Sequence, residues 1–274
     1  MYFNSIDLPR DSYEATNWQV IETCFPGYDL STTTLGGGKL PQRWGYSFVE
    51  IVSRLRNTVV AITEGKPVTL VAHDWGAFVA YLFVASHPDL VSAVVTLDVG
   101  HITPWKLSPW HAIVISAYQF WLVCAFIVSQ LLSCVVGDVM VGLFPWSLIG
   151  PCPYETKVPR KAREIHSWMC YPYFQIWLGT PIRFLLGRGL PPPLAFPPDI
   201  GVPLLYLYGP KKRCLFHTAD FLKRLEAANL LGGKAAGSGW AEVADAGHWL
   251  HAQQPEAVER HISGFLKELG KKAK

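Results

Sequence analysis

Along the first half of the chain, apolar side chains change their spacing in a way that separates helices from strands. Between residues 44 and 63 they return at Phe48, Ile51, Leu55, Val59 and Ile62, three or four apart, which predicts an amphipathic helix. The β-branched run at 68–72 predicts a short buried strand. It breaks at Ala72-His73-Asp74-Trp75-Gly76, and residues 77–86 then read as a helix packed by Phe78, Ala80, Tyr81 and Val84. Further strands are predicted at 93–97, 203–208 and 240–244, and helices at 218–231 and 255–269. Upstream, residues 19–25 read as a strand ending in the turn Pro26-Gly27-Tyr28-Asp29. Asp11-Ser12 reads as a helix start, and Gly36-Gly37-Gly38 as a flexible loop.

The middle of the chain differs in character. Between Lys106 and Glu155 the only charged side chain is Asp138, and residues 110–136 form an apolar stretch long enough to cross a bilayer. Residues 160–178 predict a second helical stretch carrying Tyr171-Pro172-Tyr173-Phe174. The proline-rich segment 191–198 reads as a stiff linker. Strands alternating with helices on both sides of this middle third predict an α/β fold with a mostly parallel sheet. The expected organisation is a first core part at 1–100, a helical insertion at 101–200 and a second core part at 201–274.

Composition narrows the function classes. The net charge is +3, and Lys and Arg are dispersed apart from the tail Lys271-Lys272-Ala273-Lys274, which gives no nucleic-acid footprint. Cysteines 24, 124, 134, 152, 170 and 214 show no metal-ligand spacing and read as reduced thiols of a cytoplasmic-type protein, and no basic-then-apolar leader opens the sequence. No metal or cofactor is expected. Aromatic residues make up 13% of the chain, which suits a small apolar substrate.

The chemistry concentrates at Asp74. Small residues two before and two after it suit a tight strand-to-helix turn that holds one side chain in a strained conformation. A carboxylate there needs no base to attack carbon, and it sits at a helix N-terminus that favours the anion. The alternative is a plain helix cap. His248 follows a predicted strand and Gly247, so its ring can reach back over the turn as a base for water. His73 and His251 read as structural. Asp74, Asp98 and His248 all fall at the carboxyl ends of predicted strands, where open parallel sheets carry their active groups.

His73-Asp74-Trp75-Gly76, Ser86-His87-Pro88-Asp89-Leu90-Val91 and Ala246-Gly247-His248-Trp249-Leu250-His251 resemble the α/β-hydrolase superfamily, in its epoxide hydrolase and haloalkane or haloacetate dehalogenase branch. The similarity runs from about Trp18 to Leu266. It implies an α/β-hydrolase sheet with an inserted helical cap, Asp74 as nucleophile and His248 as base. In much of the family the acid that orients the histidine lies at the position of Lys212. A lysine cannot fill that role, and Asp98, 24 residues after Asp74, stands where some dehalogenases carry the acid. Asp220 and Asp245 are the remaining acidic candidates. The resemblance further implies Tyr118 with Tyr173 or Tyr171 as proton donors to an opening epoxide, or Trp75 as a donor to a leaving halide.

No His-Gly-X-Pro turn, which supplies one oxyanion donor in the family, is present, and only a short polar stretch precedes Asp11 where the family has its first strands. The expectation is a sheet shortened at its N-terminal side, with 19–25 as its exposed edge. Three readings stay open: an epoxide hydrolase, a dehalogenase, or a non-catalytic hydrolase-fold binding protein. For residues 110–136 the options are a cap helix, a membrane span, or a peripheral membrane contact.

Overall fold

The structure, a computed structural model, describes residues 19–28, 42–102, 106–144, 166–191, 200–212, 214–231 and 235–272. The expected helix start at 11–12, the loop at 36–38 and most of the linker at 191–198 lie outside these residues.

Helix α1 (Phe48–Thr63) begins four residues later than its apolar spacing suggested, because Ser47 caps it. The Ser47 hydroxyl accepts from the Glu50 N–H while the Glu50 carboxylate accepts from the Ser47 N–H, so two otherwise orphaned donors are satisfied together. Strand β1 (Val68–His73), helix α2 (Trp75–Ser86) and strand β2 (Val91–Leu97) follow. Helices α3 (Pro109–Leu131) and α4 (Cys134–Gly142) and an irregular helical run over 167–185 occupy the middle of the chain. Strand β3 (Leu204–Tyr208), helix α5 (Ala219–Leu231), strand β4 (Gly239–Glu242) and helix α6 (Pro255–Lys272) complete the order.

The four strands pair in sequence order, all parallel, with Leu97 opposite both His73 and Leu207. β2 and β3 are covered on both faces, which is why they read as unbroken apolar runs. On one face Ala93, Val95, Leu97, Leu205 and Leu207 pack under Val258 and Ile262 of α6; the other face joins a larger core that includes α2, Phe221 and the inner side of α3.

Two expectations fail. Residues 19–25 form no strand: 19–24 are exposed, and no ladder partner stands beside them among the described residues. A β-branched pair such as Val20-Ile21 suits a strand but does not make one without a neighbour to bond. The sheet edge is β1 instead, and Val71 on it is 37% exposed. The apolar stretch 110–136 is also not one helix. It ends at Leu131, and Ser133 turns extended (φ −158°, ψ 132°) before α4 starts.

Because β2 and β3 are parallel neighbours, the helices described between Asp98 and Pro203 belong to the connection between two adjacent strands. Its helices pack over the carboxyl ends of those strands. The inner side of α3 (Ile115, Tyr118, Leu122, Ala125, Phe126) recurs at helical spacing and is buried.

Candidate active site

β1 ends at His73, and the chain turns into α2 through Asp74 with φ 54° and ψ −121°, a conformation that costs a non-glycine residue on the order of 1–3 kcal/mol. The turn holds the carboxylate at the head of α2, 13% exposed, with its Oδ2 buried and without a hydrogen-bond partner among the described residues. Burial raises its pKa above the ordinary value, while His248 and the Trp75 N–H pull it back down.

Asp98 stands one strand over, directly after β2, also at positive φ (68°) and with its side chain fully buried. His248, on the loop after β4, donates from Nδ1 to Asp98 Oδ2 at 2.5 Å. A carboxylate at Nδ1 fixes the proton there and leaves the Nε2 lone pair facing Asp74, whose Oδ1 is 3.9 Å away. The three residues picked from the sequence therefore meet in one line. Asp220 and Asp245 lie elsewhere, paired with Lys106 and Lys211.

His73 supports this loop. Its Nε2–H donates to the His248 carbonyl at 2.8 Å, and its ring lies between those of His248 and His251, each 4.6 Å away. Burial first, then the neighbouring imidazoles, keeps His73 neutral, well below the ordinary histidine range. The loop itself lies on the backbone of Gly209, where an added Cβ would meet the carbonyls of Gly247 and Ala246. The Lys211 N–H bonds the Ala246 carbonyl at 2.9 Å.

Lys212 is the residue the sequence reading set aside. Its ammonium is fully buried, 2.5 Å from Asp98 Oδ1, with the Phe216 ring 4.5 Å from Nζ. The approach to the carboxylate is a charge contact outside hydrogen-bond angles. Asp98 thus carries a histidine on one oxygen and a lysine on the other. Nothing in the sequence pattern pointed to that pairing except the placement of both residues at the ends of adjacent strands.

Across from His248, Trp75, Tyr118 and Tyr173 close over Asp74. The Tyr173 ring lies 4.8 Å from Trp75 and 5.9 Å from Tyr118, both edge-on. Burial pushes both phenols up and the negative Asp74 pushes them further, so they stay protonated. Tyr118 accepts a hydrogen bond from Gln119 at 3.2 Å. Phe216 joins the two halves, 6.2 Å from Tyr118 and 6.0 Å from His248. Tyr171 is not brought to the site. Its hydroxyl donates to the Pro26 carbonyl at 3.0 Å, and its ring packs with Phe25, Tyr28 and Tyr46. The Trp75 indole N–H is buried and has no hydrogen-bond partner among the described residues.

The model of the alpha/beta hydrolase family matches residues 8–261. The chain belongs to that family. It is 26% identical over 238 residues to epoxide hydrolase 3 of Xenopus tropicalis, which covers 85% of this chain and 62% of that protein, so the chain spans less than two thirds of its relative. Among solved structures it shares its fold with an epoxide hydrolase from Bacillus megaterium, at TM-score 0.56 and 16% identity over 84% of this chain and 79% of the other. A haloalkane dehalogenase from Bradyrhizobium elkanii matches at TM-score 0.54 and 14% identity, over 91% and 80%.

Proposed function

We propose that this α/β hydrolase acts through Asp74 as nucleophile, forming an alkyl-enzyme ester, and that its substrates are apolar epoxides. The observation that carries the reading is the carboxylate at the strained turn, with His248 Nε2 on one side and two protonated tyrosines on the other.

In the first step Asp74 Oδ1 attacks an epoxide carbon. The carbon–oxygen bond opens, and the leaving oxygen takes a proton from Tyr118 or Tyr173, which lowers the cost of the alkoxide. In the second step His248 Nε2 takes a proton from water, and the hydroxide adds to the ester carbonyl of Asp74. Asp98 stabilises the imidazolium that forms, in the role an acid plays in a triad. Collapse expels the diol oxygen, which takes its proton from the His248 imidazolium, the proton left on the Asp74 carboxyl returns to the tyrosinate, and the diol keeps an oxygen that began on Asp74. The Trp75 backbone N–H is one donor to the developing oxyanion. The likeness to epoxide hydrolase 3 supports this choice of substrate.

A halide-releasing variant of the same chemistry has one observation in its favour, the orphaned Trp75 indole N–H, a donor suited to an anion. The two readings share the ester and differ in the leaving group.

A single turnover in heavy-oxygen water tests both. The label is expected in Asp74 and absent from the diol, and a His248→Gln variant is expected to accumulate an adduct visible by mass spectrometry. A panel of epoxides and haloalkanes then separates the substrates by diol or halide release. Label going directly into product would show that water attacks the substrate and would remove Asp74 as nucleophile. No adduct with any substrate would favour a binding protein.

A further inference from the structure

The outer face of the helical excursion plays no part in the site, yet it exposes many large apolar side chains. On α3 Trp110, Ile113, Phe120 and Trp121 point outward, opposite the buried side that carries Tyr118. On α4 Val135 (67%), Val136 and Val139 do the same, and Phe184 (67%), Leu185 (81%) and Leu186 extend the apolar surface along the third run. These elements are fastened into one surface. The Trp121 indole N–H donates to the Met140 carbonyl on α4, and the Trp177 N–H to Gln119 on α3, each at 2.9 Å. A soluble monomer rarely exposes a contiguous apolar area of this kind.

We infer that this face docks the protein onto the interface of an anionic phospholipid bilayer, lying on the membrane without crossing it. Three features select a bilayer. First, the polar groups that would resist transfer are already satisfied. The Trp121 and Trp177 indole donors are bonded within the protein, and Asp138, the single carboxylate among the described residues of 106–144 and 166–191, is occupied by Ser167 N (2.7 Å), Ser167 Oγ (2.6 Å) and His166 Nδ1 (2.8 Å). Second, the charges beside the face are cations. Arg43 bonds the Gln130 carbonyl near the end of α3, and Arg183 and Arg188 flank Phe184–Leu186 in sequence. They match phosphatidylserine headgroups. A second copy of this chain would bring the same arginines against themselves, with no free carboxylate among those residues to receive them, so a symmetric dimer through this face is opposed. Third, α3 is long enough to span, about 35 Å at 1.5 Å per residue, but its inner side is committed to the core. Tyr118 packs on Tyr173 and Phe216, and turning α3 across a bilayer would strip those contacts.

The test is flotation of the full 274-residue chain with vesicles of phosphatidylcholine and phosphatidylserine, beside vesicles of phosphatidylcholine alone. The chain is expected to float with the mixed vesicles and roughly tenfold less with the neutral ones. A Val135→Glu/Val139→Glu/Leu185→Glu variant is expected to lose binding by about a hundredfold or more, since each buried charge opposes transfer. Quenching of tryptophan fluorescence by brominated lipids in the unmodified chain reads the same contact without a substitution, so a misfolded variant cannot decide the matter. Alkaline carbonate is expected to release the protein. Protein that stays in the aqueous phase and shows no quenching overturns the inference. So does resistance to carbonate, which would mean a span, and so does a dimer in sedimentation that the glutamates dissolve without any vesicle binding.

Discussion

Asp98 and Lys212 form a buried charge pair across the ends of two adjacent strands. The two positions follow adjacent parallel strands, β2 and β3, whose last residues are in register near Leu97 and Leu207. The carboxylate that meets His248 comes from the end of β2, while the position after β3 carries its counter-charge. Removing one partner of a buried pair leaves an uncompensated charge and costs on the order of 3–5 kcal/mol. Lys212→Met is therefore expected to lower the melting temperature and to slow ester hydrolysis more than ester formation, because Asp98 loses one of the two groups that fix its orientation. Asp98→Asn is expected to slow hydrolysis by roughly a hundredfold or more. The double variant is expected to be less destabilised than the sum of the two single ones, as a double-mutant cycle would read. Additive losses would show that the 2.5 Å contact is not an energetic one.

Between elements, what the backbone permits decides whether the site closes. The His248 loop can lie against the end of β3 only because Gly209 has no side chain, and the obstacles a Cβ would meet are backbone carbonyls that cannot rotate away. Gly209→Ala is thus expected to push the loop off Asp98 and depress turnover at least tenfold, with a loss of stability in the range of about 1–3 kcal/mol for overpacking. Unchanged kinetics in a folded Gly209→Ala protein would mean that the loop has slack. Strands β2 and β3 were legible in the sequence because parallel strands covered on both faces are continuous apolar runs, and the turn at Asp74 because small residues bracket it. Tyr171 and Tyr173 were not separable: two residues apart in an irregular helical run, one bonds Pro26 and the other faces Trp75. Likewise the strand at 19–25 failed because local β-preference says nothing about whether a neighbour exists to complete the ladder. The pairing of Lys212 with Asp98 was not legible for a related reason, since it depends on a carboxylate more than a hundred residues away.

At the scale of the whole molecule, the cost of holding several histidines in a dry environment sets how the protein responds to acid. Burial, joined by Lys212, pushes His217 down to about 4, and burial with the charge of His248 does the same to His251. Burial, then the imidazoles of His251 and His248, lower His73 as well. Each of these rings has a folded value below its unfolded value of about 6.5, so between the two the unfolded chain binds the proton and the folded chain does not. Their stabilisation is complete above about pH 6.5 and drains away as the pH falls towards 4. For His217 and His251 together, the loss between pH 7 and 5 is on the order of 4 kcal/mol, a large share of an ordinary domain's stability. Asp74 acts in the opposite sense, because its folded value lies above the unfolded one, but that single carboxylate does not offset three rings. Urea unfolding over this range is therefore expected to show a midpoint that falls steeply below pH 6.5. His217→Gln, which retains a partner for the Tyr206 hydroxyl 2.7 Å away, is expected to flatten the slope by about a third. A midpoint that holds constant from pH 7 to 5 would mean that these rings are not kept neutral by the fold.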